Sequence, residues 1–172
     1  MPQDVRDNTV IIFIGDNGTP GQVSQRPFFN KTVKGSLYQG GINTPLFVSG
    51  YGVSKSGSDD NLICSSDLFA TISEIAGIAT NEINDSKSFK PLLTESGSIR
   101  NYQYSEKAST NSEGWAISNG TYKLIEDGQG GQELYNLVDD PYENTDLIGT
   151  TLSAAAETAK TDLENELKSI RN

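Results

Sequence analysis

The sequence predicts an α/β layer followed by a small antiparallel sheet that packs on a C-terminal helix. Three observations carry this. Residues 9–14 (TVIIFI) are a continuous apolar, β-branched run, the pattern of a strand buried on both faces, as in a parallel sheet. After Arg100 the chain breaks into short strand-like stretches divided by turn signals. Residues 152–170 then carry apolar side chains at helical spacing.

The first run stops at Gly15-Asp16-Asn17-Gly18, and residues 19–38 are rich in Gly, Pro, Ser, Asn and Gln. A loop of that length inside a domain is usually functional or disordered. Residues 45–49 (PLFVS) read as a second short buried strand, and 50–60 as a polar connector. Ser66 is placed to cap a helix whose Leu68, Phe69, Ile72, Ile75 and Ala76 share one face, with Gly77 as its stop. Strand, loop, strand and helix make an α/β layer.

Residues 102–106, 115–118, 121–126 and 133–138 read as short strands. Asn119-Gly120 is a two-residue hairpin signal, 128–131 marks the next reversal, and Asp139-Asp140-Pro141 is a turn. In the closing helix Leu152, Ala156, Ala159, Leu163, Leu167 and Ile170 form the apolar stripe, and Glu164 with Lys168 makes a favourable i,i+4 pair. The organisation expected is therefore an α/β part over residues 1–99 and a sheet-plus-helix part over 100–172.

Composition excludes several functions. The net charge of −10 argues against a nucleic-acid partner, because phosphate binding needs clustered Lys and Arg. No stretch reaches the apolar length of a membrane span. Cys64 is the sole cysteine, so there is neither an internal disulfide nor a thiolate metal cluster. The sequence contains no histidine, which removes Ser-His and Cys-His nucleophiles and histidine-ligated zinc. Chemistry must rest on carboxylates, amides, Lys, Arg or Tyr.

Two places could carry it. Asp16 and Asn17 lie just past the carboxyl end of a strand, where open α/β sheets place ligands. A carboxylate beside an amide carbonyl offers two hard oxygens suited to Ca²⁺ or Mg²⁺. A tight Asn-Gly turn is the competing reading, although no alternating strand follows to complete a hairpin. Lys34 opens Lys34-Gly35-Ser36-Leu37-Tyr38-Gln39-Gly40-Gly41. Its ammonium could neutralise an anionic substrate group, whereas the bland reading is a solvated surface charge. Cys64, in an apolar context with no histidine to activate it, reads as a small packed hydrophobe. Trp115, Tyr122 and Tyr135 read as sheet packing.

In this order the segments resemble the C-terminal part of the sulfatase family in the alkaline phosphatase superfamily. Gly15-Asp16-Asn17-Gly18 resembles the end of its metal-site strand, and residues 34–45 resemble its KGxxYEGGxxxP segment. Residues 66–77 resemble its following helix. Residues 115–124, Glu133-Leu134-Tyr135-Asn136-Leu137 and Asp140-Pro141 resemble its C-terminal sheet. The likeness implies the end of an alkaline-phosphatase-like central sheet. It also implies a divalent cation, typically Ca²⁺, ligated by Asp16 and Asn17, and a sulfate ester contacted by Lys34. Two positions depart from the pattern: Gln39 stands where the family has glutamate, and Asn43 where a basic residue often follows the glycines.

The family's nucleophile is a formylglycine made within a C/S-x-P-x-R motif, and no such motif occurs here. The chain therefore reads as a fragment, a truncated gene product or one piece of a split enzyme, with an incomplete metal site and no turnover of its own. A phosphodiesterase or phosphonate hydrolase of the same superfamily is the near alternative. A non-catalytic binding or assembly module is the distant one, docking on the missing N-terminal half or on a second copy through an exposed sheet edge. The compartment is left open; a full-length bacterial parent of this kind would suit the periplasm or secretion.

Overall fold

The computed structural model describes residues 1–25, 27, 33–79, 84–108 and 112–172. Its elements in chain order are α1 (Gln3–Arg6), β1 (Val10–Ile14), α2 (Gln39–Ile42), β2 (Leu46–Gly50), α3 (Asp67–Ile75), β3 (Gln103–Lys107), β4 (Gly114–Ser118), β5 (Tyr122–Asp127), β6 (Gln132–Asn136) and α4 (Ala154–Arg171). They form two compact units that interleave in sequence: Met1–Gly15 with Pro45–Asn101, and Asp16–Thr44 with Tyr102–Asn172.

In the first unit β1 pairs with β2, antiparallel, with Phe13 opposite Phe47. This corrects the expectation of a parallel strand buried on both faces. Ile11 and Phe13 are 59% and 60% exposed and Phe47 is 65% exposed. The Phe13 and Phe47 rings lie 6.0 Å apart on that open face. A run that is apolar on both sides cannot by itself say which side is covered. Gly50 closes the pair: at φ 111° a Cβ there would sit 2.2 Å from the Thr9 carbonyl oxygen.

Helix α3 forms where expected and stops at Gly77 (φ 73°), but it buries a different side. Phe69 and Ile72 are exposed, whereas Asp67 and Thr71 are fully buried. The Asp67 carboxylate accepts the N–H groups of Cys64 (2.7 Å) and Lys87 (2.8 Å) and pairs with Arg100. Thr71 Oγ1 accepts the Phe89 N–H at 3.0 Å. Ser66 makes no side-chain cap; instead Ser86 Oγ, from a later segment, accepts the Ala70 N–H in the first turn at 3.0 Å.

In the second unit the four strands run in the order β3-β4-β5-β6, all antiparallel. The predicted Asn119-Gly120 reversal joins β4 to β5, with Gly120 at φ 89° and the Asn119 N–H donating to the Tyr122 carbonyl at 3.1 Å. Ile117, Leu124 and Leu134 stack across three strands and bury against Leu163 and Leu167 of α4. Burying each such side chain stabilises by about 1.5–3 kcal/mol. Ser153 caps α4 by accepting the Ala156 N–H at 3.2 Å. Leu152 therefore lies just outside the helix yet still packs on the core, while Ile170 at the far end is 40% exposed. The close ion pair of Glu164 is with Lys160, and the charge of the expected partner Lys168 also favours its carboxylate.

The second face of this sheet is covered too. Ala116, Ile125 and Tyr135 pack against Leu37, Tyr38 and Ile42. The loop that carries Lys34 is thus one layer of the second unit, opposite α4.

Candidate functional site

Asp16, Asn17 and Lys34 all belong to the second unit, and all three are exposed. Two backbone hydrogen bonds connect their segments. The Gly18 N–H donates to the Gly41 carbonyl at 3.0 Å, and the Lys34 N–H donates to the Thr19 carbonyl at 3.0 Å. The approach is close enough to require glycine: a Cβ on Gly18 would lie 2.0 Å from the Gly40 carbonyl oxygen. The residues singled out from sequence are therefore carried on one joined patch of backbone, with the Asp-Asn pair on one segment and the lysine on the other.

Asp16 and Asn17 have the right chemistry for a hard cation but are too few. Ca²⁺ takes about six to eight oxygens. Among the described residues no group of three or more His, Cys, Asp or Glu side chains gathers in a metal-holding arrangement. The donor set fits a divalent cation in kind and falls short in number.

Lys34 borders an open pocket of about 320 Å³. The run from Lys34 to Tyr38 makes one wall, and Lys107, Gly114, Ile125 and Asp127 contribute to the other. Below that wall the Tyr38 and Tyr135 phenols both donate to Glu133 Oε2, at 2.6 Å and 2.7 Å, with their rings edge-on at 6.1 Å. Burial, then the hydrogen bond to Glu133 and its charge, push both phenols up from their ordinary value. They remain neutral donors across the ordinary pH range.

Residues that sequence reasoning missed lie beside them. Lys123 and Glu143 are 1% and 2% exposed and form an ion pair of 2.6 Å. The Gln39 N–H donates to the other Glu143 oxygen at 2.5 Å, and Lys123 Nζ lies 3.4 Å from Gln39 Oε1. Burial holds the Lys123 ammonium below the usual lysine range, and the Glu143 carboxylate opposes that shift. One signal was available. Lys123 stands two residues before Ile125 in a strand, so it must share Ile125's covered face. Gln39, which departs from the resembled glutamate, adds no second carboxylate to this pair. Cys64 lies in the other unit, is half-buried and forms no disulfide.

Three comparisons bear on identity. A family model described as N-sulphoglucosamine sulphohydrolase, C-terminal, matches residues 26–172. A search of curated proteins returned no match. Among solved structures, the chain resembles a putative sulfatase from Bacteroides thetaiotaomicron, at 25% identity and a TM-score of 0.78, over 95% of this chain and 36% of that one. It resembles a protein solved with its substrate D-glucosamine-2-N,6-O-disulfate, at 22% identity and a TM-score of 0.73, over 96% and 34%. It also resembles the phosphonate monoester hydrolase of Agrobacterium radiobacter, at 19% identity and a TM-score of 0.72, over 96% and 35%. The chain spans about a third of the length of these proteins. With the family match over most of its residues and an architecture shared with sulfatases, the chain belongs to the sulfatase family of the alkaline phosphatase superfamily, in its C-terminal part.

Proposed function

We propose that this chain is the C-terminal portion of a sulfatase-like hydrolase of sulfate esters, and that a sulfated saccharide is the substrate class. Lys34 contacts the sulfate, and Asp16 with Asn17 supplies part of a divalent cation site, Ca²⁺ being the expected ion. The observation that supports this most is the backbone tie of Gly18 to Gly41 and of Thr19 to Lys34. It holds the segment with the hard-oxygen donors against the segment with the ammonium. An ammonium in place before reaction stabilises charge that develops on a transferring group. The nucleophile comes from outside these residues, because the sequence has neither histidine nor a C/S-x-P-x-R motif. The open apolar face of Ile11, Phe13 and Phe47 suits a chain whose relatives are about three times longer.

The test is turnover of an aryl sulfate by the purified chain with Ca²⁺, alone and with a formylglycine-bearing upstream polypeptide of a sulfatase. Activity is expected only in the mixture, and Lys34→Ala should lower it by about 10²–10³-fold, the usual loss of one charge-stabilising donor. Turnover by the chain alone above about 1 s⁻¹ that vanished in Lys34→Ala would reveal a nucleophile within it. The likeness to a phosphonate monoester hydrolase favours a second reading, so an aryl phosphonate belongs in the same assay. The open β1–β2 face favours a third, a non-catalytic assembly module, for which a dimer on size-exclusion chromatography is the sign.

A further inference from the structure

We propose that Glu143 is a positioning residue for the loop that carries Lys34, acting as a buried clamp between Lys123 of β5 and the first amide of α2. Its bearing on substrate rests on the reading of Lys34 as the sulfate contact.

Both carboxylate oxygens of Glu143 are engaged, in different directions. Oε1 accepts from Lys123 Nζ at 2.6 Å, and Oε2 accepts from the Gln39 N–H at 2.5 Å. The N–H at the start of a helix has no helical acceptor, so the carboxylate meets a need that the loop cannot meet itself. From Gln39 the order passes outward through the backbone. Gly41, in the same turn as Gln39, accepts from Gly18, and Thr19 next to Gly18 accepts from Lys34. One buried carboxylate thus fixes the turn on which both the Asp16-Asn17 segment and the Lys34 segment rest.

Two further features separate this from ordinary core stabilisation. Glu143 sits at φ 55°, a conformation that non-glycine residues adopt rarely and keep where the surroundings over-determine it. A buried ion pair serving stability alone can be replaced by apolar side chains at little cost. Such a replacement would leave the Gln39 amide without its acceptor.

The decisive comparison is Gln39→Pro against Gln39→Ala, in the chain as it stands. Proline replaces the amide hydrogen with its own ring carbon, so the Glu143 carboxylate loses this partner and must swing away from it, while both members of the Lys123–Glu143 pair keep their side chains. It suits the first position of a helix, and Tyr38 before it is already extended (φ −75°, ψ 164°). Alanine keeps the amide. Hydrogen exchange at the Gly18 and Lys34 amides is expected to be at least about tenfold faster in the proline variant than in the alanine variant, with the Leu124 amide of the sheet unchanged in both. Equal exchange at Gly18 and Lys34 in the two variants would overturn the proposal. Should the proline variant fail to fold, the Lys123→Met/Glu143→Leu double variant carries the same test: protection lost at Gly18 and Lys34 but kept at Leu124 supports the clamp, and protection kept at all three overturns it. Titration with sodium sulfate, followed at the Lys34 side-chain resonance, separates the two ideas. No perturbation in the unsubstituted chain sinks the sulfate reading of Lys34 and leaves the exchange result to decide the clamp.

Discussion

The Gly18 N–H and the Gly41 carbonyl meet at 3.0 Å, and neither glycine has room for a side chain. A Cβ on Gly18 would stand 2.0 Å from the Gly40 oxygen, and one on Gly41 would stand 2.4 Å from the Ser36 oxygen. The nearest neighbour in each case is a backbone oxygen, which cannot step aside as a flexible side chain would. Gly18→Ala should cost about 1–3 kcal/mol, the usual range for overpacking, read from urea unfolding. Gly97→Ala is the control, because nothing lies within 4 Å of its Cβ position. It should stay within about 0.5 kcal/mol of the parent, and equal losses at the two sites would show that the approach at Gly18 is not tight.

Leu163 is fully buried between α4 and the sheet, against Ile117, Leu124 and Leu134. Leu163→Ala leaves a cavity that strands and helix can fill only in part, so the expected loss is about 2–5 kcal/mol. Ile170 belongs to the same stripe by spacing but is 40% exposed. Ile170→Ala should move the melting temperature little. An unchanged melting temperature for Leu163→Ala would remove α4 from the core.

In the first unit the strongest single loss should come from a polar residue. Asp67 is fully buried and its carboxylate serves the Cys64 N–H, the Lys87 N–H and the Arg100 guanidinium. Asp67→Ala strands those donors and leaves Arg100, with only 10% of its side chain exposed, without its counter-charge. Breaking a buried pair by removing one partner costs about 3–5 kcal/mol. Phe69→Ala, on the exposed side of the same helix, is the comparison. If Phe69→Ala proved the more damaging, α3 would be buried by its apolar face after all.

These contrasts show where sequence reasoning reaches. Strands β4 to β6 and helix α4 were readable because their signals are local: alternation, the Asn119-Gly120 turn, and a stripe at helical spacing. The buried side of α3 was not, since Asp67 and Thr71 are satisfied by Ser86–Phe89 neighbours such as Lys87 and Phe89, which arrive some twenty residues later. Asp16, Asn17 and Lys34 stood out by residue type. What joins their segments is a contact between glycines, and a glycine announces conformational freedom rather than a neighbour. The Glu143 link to Gln39 spans 104 residues, and no window of local sequence contains it.

The last prediction concerns alkaline pH. Tyr38, Tyr104 and Tyr135 are each held above the ordinary phenol value of 10.0, by burial first and then by the carboxylate each one meets, Glu133 for Tyr38 and Tyr135 and Glu106 for Tyr104. Above pH 10 the unfolded chain loses these protons while the folded chain keeps them. The stabilisation is therefore complete below about pH 10 and is lost as the pH climbs toward the raised folded values. Lys123 works in the opposite sense: burial depresses its ammonium below 10.5, so the folded state holds fewer protons there and stability rises with pH up to about 10.5. Beyond that point the tyrosines act without this opposition, and the melting temperature should fall steeply. The Tyr38→Phe/Tyr135→Phe double variant leaves Glu133 without its phenol donors, so it should melt lower at neutral pH, but its decline between pH 10 and 11 should be shallower. A decline of the same steepness would mean that the two phenols do not sense Glu133 in the folded chain.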